Sequence, residues 1–442
     1  MMHKKDGGLK MTNVLPIRGL RFNHTAGLDF SKLISPPYDV ITDEMQDEYY
    51  KKSPYNVIRL EYAKSFSGDN HHENKYMRAA TVFKEWLNKG ILLKEKKPAF
   101  YLYEQHFTSS QKKYIRKGLF CGVALSPFEE GQVVPHEETM SNPKADRLEL
   151  LRHCEANFSP IFGLFKDKSK KLESYTEAIK KKQEPAIAFT ADDGQQHMVW
   201  VITDLAVIEK IKTFFEDKSI FIADGHHRYE TALQFYLEKK ELEQSKERYG
   251  HALMALVNIY DEGLLTFPTH RLITQSEITG TELLEKLTRY FSIKELPRVK
   301  SRDELLSILD KFLTGATQEK MTFGLYTPEQ KLFLLTLKEL AEKEKPFPWL
   351  DTVVLQELVL SDIFSLGEAE RQKESGLIYL RDEWEAKQFV DNKDARFAFF
   401  VNKPPLEEII NLSEKGIRMP QKSTYFYPKL ATGLIMLKLG EV

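Results

Sequence analysis

Apolar and polar residues follow one another along the chain in short runs with the periods of strands and amphipathic helices. Runs rich in β-branched and aromatic residues, bounded by polar or turn-forming residues, predict strands. These runs cover residues 14–17, 57–60, 99–103, 118–123, 221–223, 322–326, 331–335 and 397–401. We expect the third and fourth runs to lie next to each other in one sheet.

Three longer segments, residues 77–89, 229–242 and 301–313, have a helical pattern. In the first, Ala80, Phe83, Trp86 and Leu87 recur at the spacing of a single helix face, which predicts a helix packed on one side. Because strand and helix patterns alternate at both ends of the chain, we predict a mixed α/β (α+β) fold.

The length of 442 residues is sufficient for two or three domains, each with its own core. We predict an N-terminal α/β segment (1–130), a central core (131–275) and a C-terminal α/β segment (276–442). The central segment holds most of the candidate chemistry, in loops interrupted by proline and glycine.

The charge balance argues against nucleic acid as a partner. The chain has 64 basic and 65 acidic side chains, which leaves no overall field to attract a phosphate backbone.

Only two cysteines occur, and this predicts a reducing compartment rather than a disulfide framework. The first ten residues lack the apolar run of a signal peptide, and no run is long enough to span a bilayer. We therefore expect a cytoplasmic protein without a membrane partner, in an oligomeric state that the sequence does not indicate.

The first chemical segment is the Asp-Gly-His-His-Arg run at residues 224–228. It follows a predicted strand and precedes a predicted helix, so its backbone N–H groups and Arg228 can bind an anion. Asp224 would repel a phosphate unless it handles a hydroxyl proton, a metal or an amine. The alternative is that Asp224 only caps the helix while His226 and His227 pack; an acid, two histidines and an arginine on one turn favour function.

Two further segments carry polar groups suited to phosphate chemistry. Pro135, His136 and Glu137 form one, in which the carboxylate could accept a proton from an alcohol. Residues 419–424 form the other, where a lysine next to two hydroxyls suits phosphate oxygens but no Gly-rich loop precedes them, so this is not a P-loop. A polar turn before a strand explains this second segment equally well.

At these segments the sequence resembles a known family. Residues 35–41, 223–229 and 268–271 are similar to those of a prokaryotic family catalogued as a domain of unknown function (one-zero-one-five). The Asp-Gly-His-His-Arg run also resembles the signature of the ParB/sulfiredoxin superfamily and of its archaeal free serine kinases, which phosphorylate L-serine to O-phosphoserine with ADP. Pro-His-Glu at 135–137 and residues 419–424 resemble kinase motifs in the same order.

The resemblance implies a ParB/sulfiredoxin-like core elaborated by the two terminal segments, and a role for each motif residue. Glu137 would be the catalytic base and His136 a substrate-binding residue. His226, His227 and Arg228 would stabilise the transferred phosphoryl group. Asp224 would bind Mg²⁺ or orient the acceptor. The remaining residues implied for phosphate or donor binding are Gly225, Arg271, Lys422, Ser423 and Thr424.

The identity of the phosphoryl donor stays open, because Tyr425 stands where the kinases have an arginine. ADP, ATP and pyrophosphate are all considered.

Two alternative functions are also considered. The first is a phosphatase or metal-dependent hydrolase that uses His136, Asp224, His226 and His227, although adjacent histidines rarely bind one metal. The second is a nucleotide-binding module without turnover, which would tolerate loss of Glu137.

Overall fold

The structure, a computed structural model, describes residues 12–137, 141–242, 248–314, 321–339, 350–367, 376–403, 405–420 and 422–440. The first ten residues and Gln421 of the 419–424 motif lie outside the described residues. The chain divides into two compact units. The first comprises Met1–Pro135, Thr139–Leu265 and Pro428–Val442; the second comprises His136–Glu138 and Thr266–Tyr427.

The first unit is built on a mixed nine-stranded sheet with two small strand pairs. Its strands are β1 (Val14–Leu15), β2 (Leu20–Phe22), β3 (Leu92–Lys94), β4 (Phe100–Ser109), β5 (Lys112–Ala124), β6 (Val133–Val134), β7 (Ala156–Asn157), β8 (Ile161–Phe165), β9 (Ile187–Thr190), β10 (Gln196–Ile202), β11 (Ile220–Asp224), β12 (His251–Asn258) and β21 (Leu437–Lys438). The large sheet has the order β6-β11-β8-β12-β5-β4-β10-β9, with β1 on β5. The predicted adjacency of residues 99–103 and 118–123 is confirmed by the pairing of β4 with β5.

Helices pack against these strands. They are α1 (Asp43–Lys52), α2 (Ile58–Glu61), α3 (Lys75–Asn88), α4 (Ser141–Cys154), α5 (Lys171–Lys180), α6 (Leu205–Phe215) and α7 (His226–Leu242). In α3, Phe83 and Trp86 are buried in a core shared with Phe22 and Phe158, as the predicted face requires. The prediction of this helix is therefore confirmed.

The strand predicted at residues 57–60 is wrong, because α2 occupies this position. The side chain of Asn56 accepts a hydrogen bond from the backbone N–H of Ile58 at 2.9 Å. Its amide donates to the carbonyls of Lys32 and Ile34. An asparagine anchored in this way favours a helical turn, and the apolar run is buried on that turn whatever its β propensity.

The second unit contains an antiparallel six-stranded sheet. The strands of this part of the chain, six in the sheet and two in a separate pair, are β13 (Leu265–Phe267), β14 (His270–Ile273), β15 (Phe291–Glu295), β16 (Thr322–Tyr326), β17 (Leu332–Leu337), β18 (Leu377–Leu380), β19 (Phe397–Phe400) and β20 (Tyr425–Tyr427). The sheet order is β15-β17-β16-β19-β14-β18, and β13 pairs with β20. Its helices are α8 (Gly280–Leu287), α9 (Arg302–Leu309), α10 (Asp351–Leu355), α11 (Glu383–Asp391) and α12 (Leu406–Glu414), with π-helical turns at Asp310–Thr314 and Gln356–Ser361.

Side chains of β19 alternate between two cores. Phe397 and Phe399 join one apolar cluster, and Ala398 and Phe400 join another. The sheet is therefore buried on both faces, and the fold is mixed α/β as predicted. Among the helices of the described ranges, none is both long and apolar enough to cross a bilayer.

The junction between β11 and α7 depends on a glycine. Gly225 has a φ of +94°, a conformation that L-residues rarely adopt. A Cβ at this position would lie 2.9 Å from Nε of Arg228. The junction predicted from sequence is confirmed, since the strand ends at Asp224 and the helix begins at His226.

We expect Gly225→Ala to lower the free energy of unfolding by about 2–3 kcal/mol, since it combines backbone strain with displacement of the guanidinium. Gly194 offers a matched control: its φ is +82° and nothing lies within 4 Å of its Cβ position. Gly194→Ala should therefore cost only the strain, about 1 kcal/mol. Urea titrations of both variants make the comparison, and equal costs would contradict the role of the Arg228 contact.

Candidate functional site

Asp224 lies between two cations in the first unit. Nη2 of Arg228 donates to one carboxylate oxygen at 2.7 Å, and Nζ of Lys429 donates to the other at 2.6 Å. Nη1 of Arg228 also donates to the carbonyl of Pro160 at 2.6 Å. The guanidinium is therefore fixed to two parts of the fold at once.

Asp224, Arg228 and Lys429 carry one negative and two positive charges, and Asp39 and Glu61 also act on Arg228. Burial by itself raises the pKa of Asp224, but Lys429 and Arg228 hold it at about 2, so the carboxylate is ionised at neutral pH. One carboxylate and two cations, together with the N-terminal end of α7, form an arrangement suited to an anion.

The two histidines of the turn differ in exposure. His226 is buried and His227 is half-buried. Burial lowers the pKa of His227, although the nearby Glu230 opposes this effect, and the shift favours the neutral imidazole. A neutral imidazole can both donate and accept a hydrogen bond.

Sequence reasoning did not identify Lys429 as a site residue. Buried residues of β4 and β5 hold the backbone at this position. Arg116 donates to the carbonyl of Pro428, and Gln105 donates to the carbonyl of Lys429 at 3.4 Å. The Arg116 guanidinium lies 4.9 Å from the ring centre of Phe162. The available signal was a lysine after a proline, shortly beyond the 419–424 motif.

Glu61 and Arg147 form a second buried polar group that the sequence did not reveal. Glu61 accepts from Ser159 Oγ at 2.7 Å and from Arg147 Nη1 at 3.3 Å. Burial raises the pKa of Glu61, and Arg147 opposes this. The Arg147 guanidinium stacks 4.0 Å from the ring centre of Tyr38, within the 35–41 motif. The signals in the sequence were a carboxylate at the end of an apolar run and an arginine shortly after the Pro-His-Glu segment.

In the second unit, Glu137 is held by the 422–424 segment. Its carboxylate accepts hydrogen bonds from the backbone N–H groups of Lys422 and Thr424, at 3.2 and 3.0 Å, and from the Thr424 hydroxyl at 3.0 Å. Lys422 has a φ of +55°, which turns successive N–H groups toward one side, as in anion-binding nests. Hydrogen bonds of this kind favour the ionised carboxylate.

Other predicted residues of this unit surround the same segment. His136 is buried and its Nε2 lies 2.8 Å from Oγ1 of Thr424. Arg271 donates to the carbonyl of Lys422 at 3.2 Å, and the ring of Tyr379 lies beneath both cations. The hydroxyl of Ser423 donates to the carbonyl of Pro420 at 2.5 Å.

The predicted residues thus fall into two groups. Asp224, Gly225, His226, His227 and Arg228 belong to the first unit, and each one is part of or next to the anion-suited turn. The second unit contains the remaining predicted residues, His136, Glu137, Arg271, Lys422, Ser423 and Thr424. Their roles stay predictions.

The residues around Asp224 do not fit a Mg²⁺ ion. Within the parts of the chain that the structure describes, no group of three metal-ligating His, Cys, Asp or Glu side chains occurs. Both oxygens of Asp224 already accept from cations, and a metal would have to displace one of them. The expected Mg²⁺ is therefore not shown, and no catalytic step is assigned to it.

Comparisons with solved structures give weak likenesses. A conserved hypothetical protein from Pyrococcus furiosus has 15% sequence identity and a TM-score of 0.35, over 72% of this chain and 95% of that one. A free serine kinase in complex with AMP has 13% identity and a TM-score of 0.35, over 72% and 92%. SbnI with a C-terminal truncation, from Staphylococcus aureus, has 11% identity and a TM-score of 0.34, over 71% and 86%.

Likenesses at these TM-scores carry no conclusion about ligands or activity. No curated protein matches the sequence. The profile of one family, described as a protein of unknown function (DUF1015), matches residues 14–357, which is most of the chain. The chain therefore belongs to the DUF1015 family.

Proposed function

We propose that the protein is a phosphotransferase of the free serine kinase type, which converts L-serine to O-phospho-L-serine with ADP, ATP or pyrophosphate as donor. The observation that supports this most is the contact of Glu137 with residues 422–424 within one unit. The resemblance assigns the catalytic base to the former and the donor phosphate to the latter. Phosphoryl transfer requires the acceptor hydroxyl and the terminal phosphate to be neighbours.

In the proposed reaction Glu137 accepts the proton of the serine hydroxyl while the serine oxygen forms a bond to the terminal phosphorus. The bond from that phosphorus to the bridging oxygen breaks, and AMP, ADP or phosphate leaves, according to the donor. Glu137 ends the step neutral. Hydrogen bonds to its carboxylate hold it in position for this step.

The charges of the Asp224 turn, taken within the first unit alone, suit a bound anion. Arg228 contributes a planar guanidinium, and the turn lies at the positive end of the α7 dipole. Because the pKa of Asp224 is about 2, this carboxylate is a poor proton acceptor at neutral pH. Its proposed role is to orient Arg228.

We expect Glu137→Gln to lower kcat by about a hundredfold or more, the usual scale for loss of a general base. The amide retains the size of the carboxylate, so the KM for the donor should change little. Formation of phosphoserine by the purified full chain is the measurement. Glu407, exposed on α12 of the same unit, gives the matched control Glu407→Gln; near-normal kcat in Glu137→Gln would remove Glu137 from the mechanism.

Lys422→Ala should raise the KM for the phosphoryl donor by about tenfold or more and leave the KM for serine nearly unchanged. The reason is that the lost ammonium would contact only donor oxygens. The assay follows label from the donor into serine, with exposed Lys415 providing the control Lys415→Ala. Label recovered only as free phosphate, with no phosphoserine from any of the three donors, would overturn the kinase proposal in favour of a hydrolase.

A further inference from the structure

The hydroxyl of Thr424 connects His136 to Glu137. Its Oγ1 lies 3.0 Å from Oε1 of the carboxylate and 2.8 Å from Nε2 of the imidazole. An ionised carboxylate can only accept, so the single hydroxyl proton is donated to Glu137. The oxygen must then accept from His136, which places a proton on Nε2; this nitrogen also lies 3.4 Å from Oε1 of Glu137, farther than the 2.8 Å to the hydroxyl. The direction of each hydrogen bond in this chain of three residues is thereby fixed.

The backbone of Thr424 serves the same carboxylate, since its N–H also donates to Oε1 of Glu137 at 3.0 Å. Both donors of this residue are therefore directed at one oxygen. A donor phosphate bound by Thr424 would have to replace the carboxylate. The phosphate-binding role that the resemblance implies for this residue conflicts with the hydrogen bonds that it makes.

The position of the His136 imidazole is fixed by its surroundings. His136 is 2% exposed, its carbonyl accepts from the N–H of Met419 at 2.8 Å, and its ring packs edge-on against Phe426 with the ring centres 6.0 Å apart. The ring can therefore orient the hydroxyl without contacting a ligand from bulk solvent.

We propose that Thr424 and His136 are positioning residues that hold Glu137 as the base, and that Thr424 does not bind the phosphoryl donor. This inference rests on the proposed function for its kinetic consequence. Its geometric part, that the hydroxyl restrains the carboxylate, is independent of any reaction. Lys422 remains the donor-binding residue of the segment.

The kinetic test compares two substitutions at one position. Thr424→Val keeps the shape of the side chain and removes the hydroxyl, so kcat should fall by about 10–100-fold, the scale for partners that orient a functional group. The KM for ADP, ATP or pyrophosphate should change less than twofold. Thr424→Ser restores the hydroxyl and should recover most of the lost kcat. A donor-binding residue would give the opposite result, a raised donor KM at nearly normal kcat, and that result would overturn the proposal.

A second measurement needs no turnover. Water-soluble carbodiimide labels carboxyl groups, and mass spectrometry of the peptide that contains Glu137 gives the labelling rate. With the hydroxyl removed, Glu137 should react several-fold faster in Thr424→Val than in wild type, and Thr424→Ser should lie close to wild type. Glu383, which is in the same unit and paired with His270, is the internal reference for unfolding, since its rate should be equal in all three proteins.

The two measurements separate the proposals. If wild type forms no phosphoserine but the labelling rates differ as expected, the kinase function fails and the positioning role stands. If phosphoserine forms but Glu137 is labelled at equal rates in all three proteins, the positioning role fails and the kinase function stands. A variant in which both Glu137 and Glu383 are labelled faster is unfolded. In that case His136→Phe, which removes the imidazole that holds the Thr424 hydroxyl, is used instead, and its labelling rates at Glu137 and Glu383 are compared with wild type.

Discussion

A carboxylate placed where little water reaches it must find cations or N–H and O–H donors within the protein, since an unpaired buried charge costs several kcal/mol. In the first unit Asp224 meets this requirement through Arg228, four residues away, and Lys429, 205 residues away. In the second, Glu137 meets it through a segment 285 to 287 residues later. In each unit a carboxylate thus joins distant parts of the chain.

The same kind of residue acquires different chemistry from its partners. Asp224 faces two full positive charges, which hold its pKa at about 2 and suit it to orienting cations. Glu137 receives hydrogen bonds from backbone N–H groups and a hydroxyl, which fix the orientation of its carboxylate. The two carboxylates therefore have different surroundings, two full charges at Asp224 and hydrogen-bond donors at Glu137.

Local patterns were sufficient for elements whose surroundings agree with their propensity. The helix at α3, the pair β4 and β5, and the strand, glycine and helix around Gly225 were all predicted, because apolar periodicity and a single glycine determine them. The helix at residues 57–60 was not predicted, since Asn56, which holds this turn, is itself anchored to carbonyls more than twenty residues earlier. The predicted division into domains at 1–130, 131–275 and 276–442 stays a prediction. Each of the two compact units is made of stretches that are not contiguous in sequence.

Pairs of residues that come into contact only in the folded chain could not be predicted from the sequence. Nothing local to Lys429 indicates Asp224, and nothing local to Glu61 indicates Arg147; only the shared order of short motifs suggested that residues 135–137 and 419–424 belong together. Even there the sequence could not assign roles. A segment that binds phosphate and a segment that holds a carboxylate both need small hydroxyl residues and N–H groups turned to one side. What distinguishes the two kinds of segment is the group that accepts their hydrogen bonds. At Thr424 the accepting group is the carboxylate of Glu137.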